Sequence, residues 1–392
     1  MIQLPAPPPL SLYVHLPWCV RKCPYCDFNS HEARGAIDEP AYVDALLRDL
    51  EQDLPRVWGR TVHAVFLGGG TPSLFSPEAI DRLLSEVRAR VPLDPRAEIT
   101  LEANPGTVEL ERFRGYRQAG INRLSIGIQS FNNDKLAALG RIHGRDEALR
   151  AAQAARDAGF DNFNLDLMFG LPGQNLAEAM TDLETALQQQ PTHLSLYQLT
   201  IEANTLFHAQ PPQLPDDDTV ADMQLALQAR VAEGGFAQYE VSAYARPGYE
   251  SRHNLNYWRF GDYLGIGAGA HGKLSDSEGV TRLWKQGHPR TYLQTAGKPE
   301  SLGGEQRLPR HELVIEFMLN ALRLTQGFPV HLFQDHTGLP VSAAEPALRV
   351  AEERGLVERD VFTIRPTALG QAHLNTLLEL FLDPQVDNRR PA

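Results

Sequence analysis

The sequence predicts an α/β fold: a partial (β/α)6 barrel, open rather than closed, followed by a small, mainly helical, winged-helix-like C-terminal domain. Three observations predict it. Between residues 11 and 199, β-rich runs alternate with amphipathic stretches and turn signals, the pattern of a parallel sheet with crossover helices. Six such units fit that span, whereas a closed eight-stranded barrel needs ~250 residues. Polar residues also recur at the C-terminal ends of the expected strands, where a barrel gathers its reactive groups; this favours a barrel over an open doubly wound sheet.

The elements follow in order. A strand over 11–15 runs into a cysteine loop, and a helix over 39–58 carries Tyr42, Ala45, Leu46 and Leu50 at helical spacing. Strands over 62–67, 98–101, 123–128, 162–168 and 193–199 are expected. Helices over 77–90, 108–119, 133–139, 145–158 and 176–189 lie between them. A Pro/Asp break over 210–218 then changes the texture, and Asp218 is a candidate cap for a helix over 220–233. A strand over 236–244, an aromatic-rich segment over 249–263 and a glycine-rich loop over 265–272 come next. Helices over 312–324, 330–337, 343–353 and 367–382, with a wing over 356–364 turning at Arg359 and Asp360, form the C-terminal domain. The expected division is 1–205 for the barrel, 206–305 for its extension, 306–385 for the helical domain and 386–392 for a disordered tail.

Composition narrows the function classes. The 392 residues are 42% hydrophobic and 22% charged, as in ordinary globular proteins. A net charge of −12 argues against nucleic acid as a partner, and the wing has no basic cluster to meet phosphates. The opening residues lack a positive segment ahead of an apolar core, so no signal peptide is expected, and no apolar run is long enough for a membrane span. Reduced thiols fit a cytoplasmic location.

The three cysteines, Cys19, Cys23 and Cys26, all fall in one C-x3-C-x2-C loop over 19–26. An odd count suits no disulfide scheme, and three donors fall short of a four-ligand zinc or ordinary iron–sulfur site. Three thiolates this close can hold a corner of a [4Fe–4S] cubane and leave its fourth iron open, the mark of an exchangeable or reactive position.

The run from Tyr13 through Tyr25 to Phe28, with its C-x3-C-x2-C core, resembles the radical S-adenosylmethionine (SAM) signature. More narrowly, it resembles the branch that holds the oxygen-independent coproporphyrinogen III oxidase HemN and the heme chaperone HemW. The resemblance implies that SAM chelates the open iron. It also implies SAM contacts at Tyr13, Tyr25, Gly69, Gly70, Thr71, Glu102, Gln129, Arg141 and Asp166. The residue types agree: three consecutive glycines let backbone approach a ligand closely, Glu102 suits a ribose diol, and Arg141 suits a carboxylate. Taken alone, Arg141 reads as a solvated surface charge.

The H-N-x-x-Y-W run over 253–258 is the signature associated with heme binding on the chaperone side of the branch. It implies His253 as an imidazole ligand for heme iron, with Tyr257 and Trp258 offering flat faces and Arg246, Arg252 and Arg259 available to propionates. By composition alone the same run reads as an exposed histidine beside a structural aromatic pair. No C-x-x-C-H motif exists for covalent heme attachment. Two departures weaken the oxidase reading: 18 residues precede Cys19, and Phe28 stands where the oxidase has a further cysteine. The expected function is a heme chaperone that binds heme, a [4Fe–4S] cluster and SAM, and hands heme to acceptor proteins, some of them respiratory. An electron donor is a further expected partner. The alternative is radical oxidative decarboxylation of coproporphyrinogen III to protoporphyrinogen IX, or radical chemistry on another tetrapyrrole.

Overall fold

The computed structural model describes residues 4–107 and 110–382. Six strands form the core in chain order: β1 (Leu10–Leu16), β2 (Val62–Gly69), β3 (Leu93–Ala103), β4 (Arg123–Gln129), β5 (Phe163–Phe169) and β6 (His193–Gln198). Each pairs in parallel with the next. The crossovers are helices α1 (Glu39–Asp53), α2 (Pro77–Arg90), α3 (Leu110–Ala119), α4 (Asn133–Ala138), α5 (Arg145–Asp157) and α6 (Leu176–Gln188). Helix α2 starts where the sequence says it should, because Pro77 opens the first turn and the Ser76 hydroxyl accepts the Ala79 N–H at 3.2 Å. A reciprocal capping box between Asn175 and Glu178 starts α6.

The sheet extends past both ends of this core. Helix α7 (Asp217–Glu233) is followed by β7 (Ala237–Glu240) and β8 (Ala243–Ala245), an antiparallel hairpin on the β6 edge. The single strand expected over 236–244 is therefore two, broken at Val241 and Ser242. Helix α7 is capped by Asp216, whose carboxylate accepts the Thr219 N–H at 2.7 Å, not by Asp218. At the other edge β9 (Asp262–Ile266) runs parallel to β1, with Leu10 opposite Asp262. Antiparallel β10 (His271–Asp276), β11 (Gly279–Lys285) and β12 (Leu302–Arg307) complete a twelve-stranded sheet of order β12-β11-β10-β9-β1-β2-β3-β4-β5-β6-β8-β7.

One apolar core joins the strands to α1–α3 and α5–α7, through residues such as Val14, Leu46, Val65, Leu84, Ile126 and Leu165. A second core, built on Phe317, Phe328, Phe333 and Leu348, holds the C-terminal helices together. There β13 (Phe328–Pro329), β14 (Val357–Arg359) and β15 (Thr363–Pro366) form a small antiparallel sheet of order β13-β15-β14, giving the expected wing a third strand. The tail over 386–392 lies outside the described residues. Among those residues no helix is long and apolar enough to cross a membrane.

Two buried ion networks fasten the sheet extension to the barrel. Asp262, at the start of β9, accepts Arg60 Nη1 and Lys273 Nζ, each at 2.8 Å, and the Ser275 hydroxyl at 2.7 Å. Lys285 on β11 donates to Asp49 at 2.5 Å and Asp53 at 2.6 Å, both on α1. Asp49 in turn accepts the Tyr292 hydroxyl at 2.7 Å and the Gly267 N–H at 3.1 Å. The second network thus pins the glycine-rich loop from behind.

Candidate functional site

The cysteine loop leaves the C-terminal end of β1, and backbone bonds fold it onto the neighbouring turn. Leu16 O accepts the Gly70 N–H at 2.9 Å, and Trp18 O accepts the Thr71 N–H at 2.7 Å. Gly70 has to be glycine: a Cβ there would stand 2.6 Å from Trp18 O. Gly69 takes φ of 113°, and a Cβ on it would collide with the His15 ring. All three cysteines are free and half-buried. Burial pushes the Cys19 thiol up, the Thr71 hydroxyl opposes this, and the nearby thiols of Cys26 and Cys23 push it further. The Ser30 hydroxyl lies 3.5 Å from Cys26 Sγ, and Arg141 Nη1 lies 3.7 Å from Cys23 Sγ. Among the described residues no three Cys, His, Asp or Glu side chains come close enough to share a single metal ion. A cubane does not ask this of them, because each thiolate binds a different iron. The donor set, three thiols with one fixed cation beside them, fits such a cluster.

Arg141 is no solvated surface charge. It is half-buried, and Nη2 donates to Gly127 O at 2.8 Å and also to the Asn104 side chain. Asn104 Nδ2 donates to the Thr71 hydroxyl at 2.8 Å, so one chain of polar contacts links the ends of β2, β3 and β4 to the cysteine loop. Gln129 ends β4 at a register shift against β5, with φ of 67°, a conformation that side-chain-bearing residues adopt rarely. Tyr25 packs against Phe207, with ring centroids 6.3 Å apart, and its hydroxyl interacts with Cys23 and Arg141.

Two carboxylates face one another across the barrel interior. Glu102 on β3 accepts the Gly69 N–H at 3.1 Å. Burial and then the charge of Asp166 raise its pKa to about 7, against the pull of that N–H. Asp166 on β5 accepts Asn164 Nδ2 at 2.7 Å and the Ser125 hydroxyl at 3.2 Å. Burial raises its pKa as well. Deeper in, Asn164 meets His193 Nδ1 at 2.7 Å, and His193 Nε2 meets the Tyr239 hydroxyl at 2.9 Å. Glu98 and Arg123 form the floor, 4.0 Å apart.

The H-N-x-x-Y-W run forms helix α8 (Arg252–Trp258), which stands against β1, β2 and β9. Glu98 fixes its start by accepting the backbone N–H groups of Arg252 at 3.0 Å and His253 at 3.3 Å. His253 is 2% exposed. Its ring stacks on Phe66 with centroids 4.9 Å apart and meets the edge of Tyr257 at 4.8 Å, and its Nδ1 has no hydrogen-bond partner. Burial, then the Arg123 charge, lower its pKa to about 3, so the ring is neutral. Trp258 points elsewhere, under the Arg323 guanidinium at 4.3 Å. Arg252 donates to Arg96 O at 2.7 Å, and Arg246 lies over the Phe236 ring at 4.8 Å. Neither of these arginines lines the cavity described next.

A cavity of about 350 Å³ opens at this mouth. Tyr13, His15, Gly69 and Glu102 line it from the barrel strands, and Phe28 and Asn29 from the end of the cysteine loop. Tyr257, Tyr263, Gly269 and His271 line it from the extension. Four of the residues singled out from sequence therefore meet here: Tyr13, Gly69, Glu102 and Tyr257. The glycine-rich loop reaches the site too, because Asn29 Nδ2 donates to Ala268 O at 2.9 Å and Gly287 O at 2.8 Å. Sequence reasoning missed His15, Asn29 and Tyr263 as site residues. Only the position of His15 and Asn29 within or beside the cysteine motif could have pointed to them.

The first part of the chain, residues 13–186, matches the radical SAM superfamily, and residues 308–373 match the HemN C-terminal domain. A heme chaperone HemW from Haemophilus influenzae is 50% identical over 97% of this chain and 99% of its own length. Its namesake in Escherichia coli is 50% identical over 97% of this chain and all of its own length. The chain belongs to the HemW family of radical SAM proteins. The family is broad: a HemW from Bacillus subtilis is 33% identical over 95% of this chain and 99% of its length. The solved structure of the coproporphyrinogen III oxidase HemN from Escherichia coli, described as a radical SAM enzyme, superposes with a TM-score of 0.81. It is 25% identical and covers 96% of this chain and 90% of that one. The α/β architecture with its helical C-terminal domain is thus the radical SAM fold of this branch, and the family implies a [4Fe–4S] cluster and SAM.

Proposed function

We propose that this protein is a heme chaperone, holding a cluster on Cys19, Cys23 and Cys26, SAM at the barrel mouth, and heme as cargo for acceptor proteins. One observation carries the reading. A single cavity is lined on one side by Gly69 and Glu102, of the SAM-type set, and on the other by Tyr257 of the H-N-x-x-Y-W helix. Cofactor and cargo would meet across it, which suits a carrier whose cofactors govern loading.

The roles of the chain's own residues follow. The three thiols would hold the cluster, with Arg141 beside Cys23 and Tyr25 against both. Glu102 supplies an acceptor for a ribose diol, and Gly69, Gly70 and Thr71, whose N–H groups are bonded within the protein, shape the turn beside it. Gln129 and Asp166, on β4 and β5, are the remaining polar members of the set. Helix α8 supplies the heme side, with Tyr257 in the cavity wall and His253 and Trp258 behind it. When bound, the cluster supplies one-electron reduction. An electron donor and a cytoplasmic location belong to the same reading.

The oxidase alternative is favoured by the fold shared with HemN across almost the whole chain. One anaerobic experiment separates the two. Reduced, cluster-loaded protein is given SAM and coproporphyrinogen III, and hemin is titrated into a parallel sample. Saturable hemin binding without decarboxylated product is expected; formation of protoporphyrinogen IX would overturn the carrier reading.

A further inference from the structure

The family signature directs attention to His253 as the group that meets heme iron, yet three features of this structure oppose direct ligation there. His253 is 2% exposed, it is walled by the Phe66 and Tyr257 rings, and it does not line the cavity. Reaching its nitrogens would require helix α8 to leave the barrel, against the hold of Glu98 on its first turn.

Two other histidines do line the cavity. His15 is committed: its Nδ1 meets the Tyr13 hydroxyl at 2.9 Å and its Nε2 meets Asn29 O at 2.9 Å. The Asn29 carbonyl can only accept, so Nε2 carries the proton and Nδ1 accepts from Tyr13. No lone pair remains for a metal. His271 differs on every count. It is exposed and opens strand β10, paired with Trp284 of β11, whose indole stacks near its ring at 6.4 Å and 25°. Among the described residues, none makes a hydrogen bond to either of its ring nitrogens.

The surroundings of His271 suit a flat, largely apolar ligand with anionic edges. Phe28, also in the cavity lining, is 65% exposed and offers an open apolar face to a ligand. Tyr257 and Tyr263 pack together at 4.3 Å and form the wall between. The Lys22 ammonium donates to Phe28 O at 3.1 Å, so a cation stands at the same rim, where a carboxylate could meet it. The cavity volume, about 350 Å³, lies at the lower end of the roughly 300–1,000 Å³ of small-molecule sites. It has room for one ligand deep against Glu102, and a macrocycle sharing the site must lie outward, across Phe28 and His271.

We propose that the cargo tetrapyrrole lies across the rim of this cavity, between the Phe28 ring and the Tyr257–Tyr263 wall, with the His271 imidazole as its iron ligand. His253 is then a positioning residue that sets Tyr257 from behind. The inference rests on the heme-carrier reading and deepens it.

The test uses full-length, cluster-loaded protein and hemin, followed by the Soret band. His271→Ala should weaken hemin binding by roughly tenfold or more, as loss of a group in a metal's shell does, and move the Soret band. In His271→Gly, added imidazole should restore the wild-type band, a signature that a structural role for His271 would not produce. Phe28→Ala should weaken affinity and leave the band in place. His253→Ala should lower affinity without changing the band, and imidazole should not rescue it. An unchanged spectrum and affinity in His271→Ala, or imidazole rescue confined to His253→Gly, would overturn the assignment and leave heme carriage intact. Absence of saturable hemin binding to the wild-type protein would instead remove the carrier reading, and this assignment with it.

Discussion

In the proposed SAM site, Glu102 is where the demands of binding and of folding conflict, and the conflict has a measurable size. The carboxyl sits in the barrel mouth with one backbone N–H for company, and Asp166 across the interior adds like-charge repulsion. Its pKa rises from the ordinary 4.5 to about 7 in the folded protein. Below pH 4.5 the group is neutral in both the folded and unfolded chains and has no pH-linked effect on stability. Between 4.5 and 7 the unfolded chain ionises first, so the folded state loses stability as pH rises, and above 7 the loss is complete. The full difference amounts to ~3 kcal/mol at 1.36 kcal/mol per pH unit. Water at the cavity mouth screens part of the charge, which leaves ~2 kcal/mol.

Glu102→Gln removes that charge and keeps an oxygen for the Gly69 N–H. SAM-free, cluster-loaded variant should therefore melt above the wild type at pH 8, by about 2–3 °C for an unfolding entropy of ~2.1 cal/mol/K per residue over the chain. Near pH 5 most of the gap should close. The same variant should bind SAM more weakly by calorimetry, because an amide is a poorer acceptor for a diol than a carboxylate. A gap that is absent at pH 8, or that widens as pH falls, would refute the electrostatic account. Asp166→Asn supplies the cross-check: with the second charge gone, Glu102→Gln should add less stability than it does in the wild-type background.

Replacing Cys19, Cys23 or Cys26 singly with Ala should abolish cluster assembly, read as iron content and visible absorbance after reconstitution; full iron in any one variant would remove that thiol from the ligand set. Asp262→Ala should destabilise by ~3–5 kcal/mol in denaturant melts, because Lys273 and Arg60 lose their buried counter-charge; a loss under about 1 kcal/mol would mean that water replaces the carboxylate without strain. Gln129→Gly should leave stability unchanged or slightly raised, since it relieves a left-handed conformation that costs ~1 kcal/mol, while SAM affinity falls. Lower stability with undiminished SAM binding would make Gln129 a packing residue.

Much of this was legible from sequence, for local reasons. The parallel strands showed because each is a short β-rich run between turn signals, and α2 showed because Ser76 and Pro77 announce it. The cysteine loop and Glu102 could be read from residue type and position at strand ends. The parts that could not be read are held by distant partners. Helix α8 has seven residues, too few to display an apolar stripe, and is started by Glu98 from a strand more than 150 residues earlier. Strand β9 is buried throughout, DYLGI in sequence, yet its place beside β1 depends on Asp262 finding Arg60 and Lys273. Arg141 looked like a surface charge because nothing nearby in sequence shows that Asn104 and Gly127 O await it.

The barrel shared with HemN does not by itself choose between carrying a porphyrin and oxidising one, since one scaffold can host several functions. What can choose is which surfaces are rigid and which are open. Around Glu98 and Asp166 the interior is held by hydrogen bonds to α8, Asn164 and Ser125, though Arg123 Nε and His253 Nδ1 take none; buried polar groups that are satisfied hold one arrangement firmly. Helix α8 is bolted to that interior, so the wall it presents through Tyr257 is fixed in place. The rim is the reverse: Phe28 is largely exposed, and among the described residues the His271 ring takes no hydrogen bond. A reaction that must exclude water calls for a closed mouth over its substrate. A carrier calls for a fixed wall to recognise its cargo and an open rim from which an acceptor can take it. The distribution of rigidity at this mouth accords with the proposed carrier.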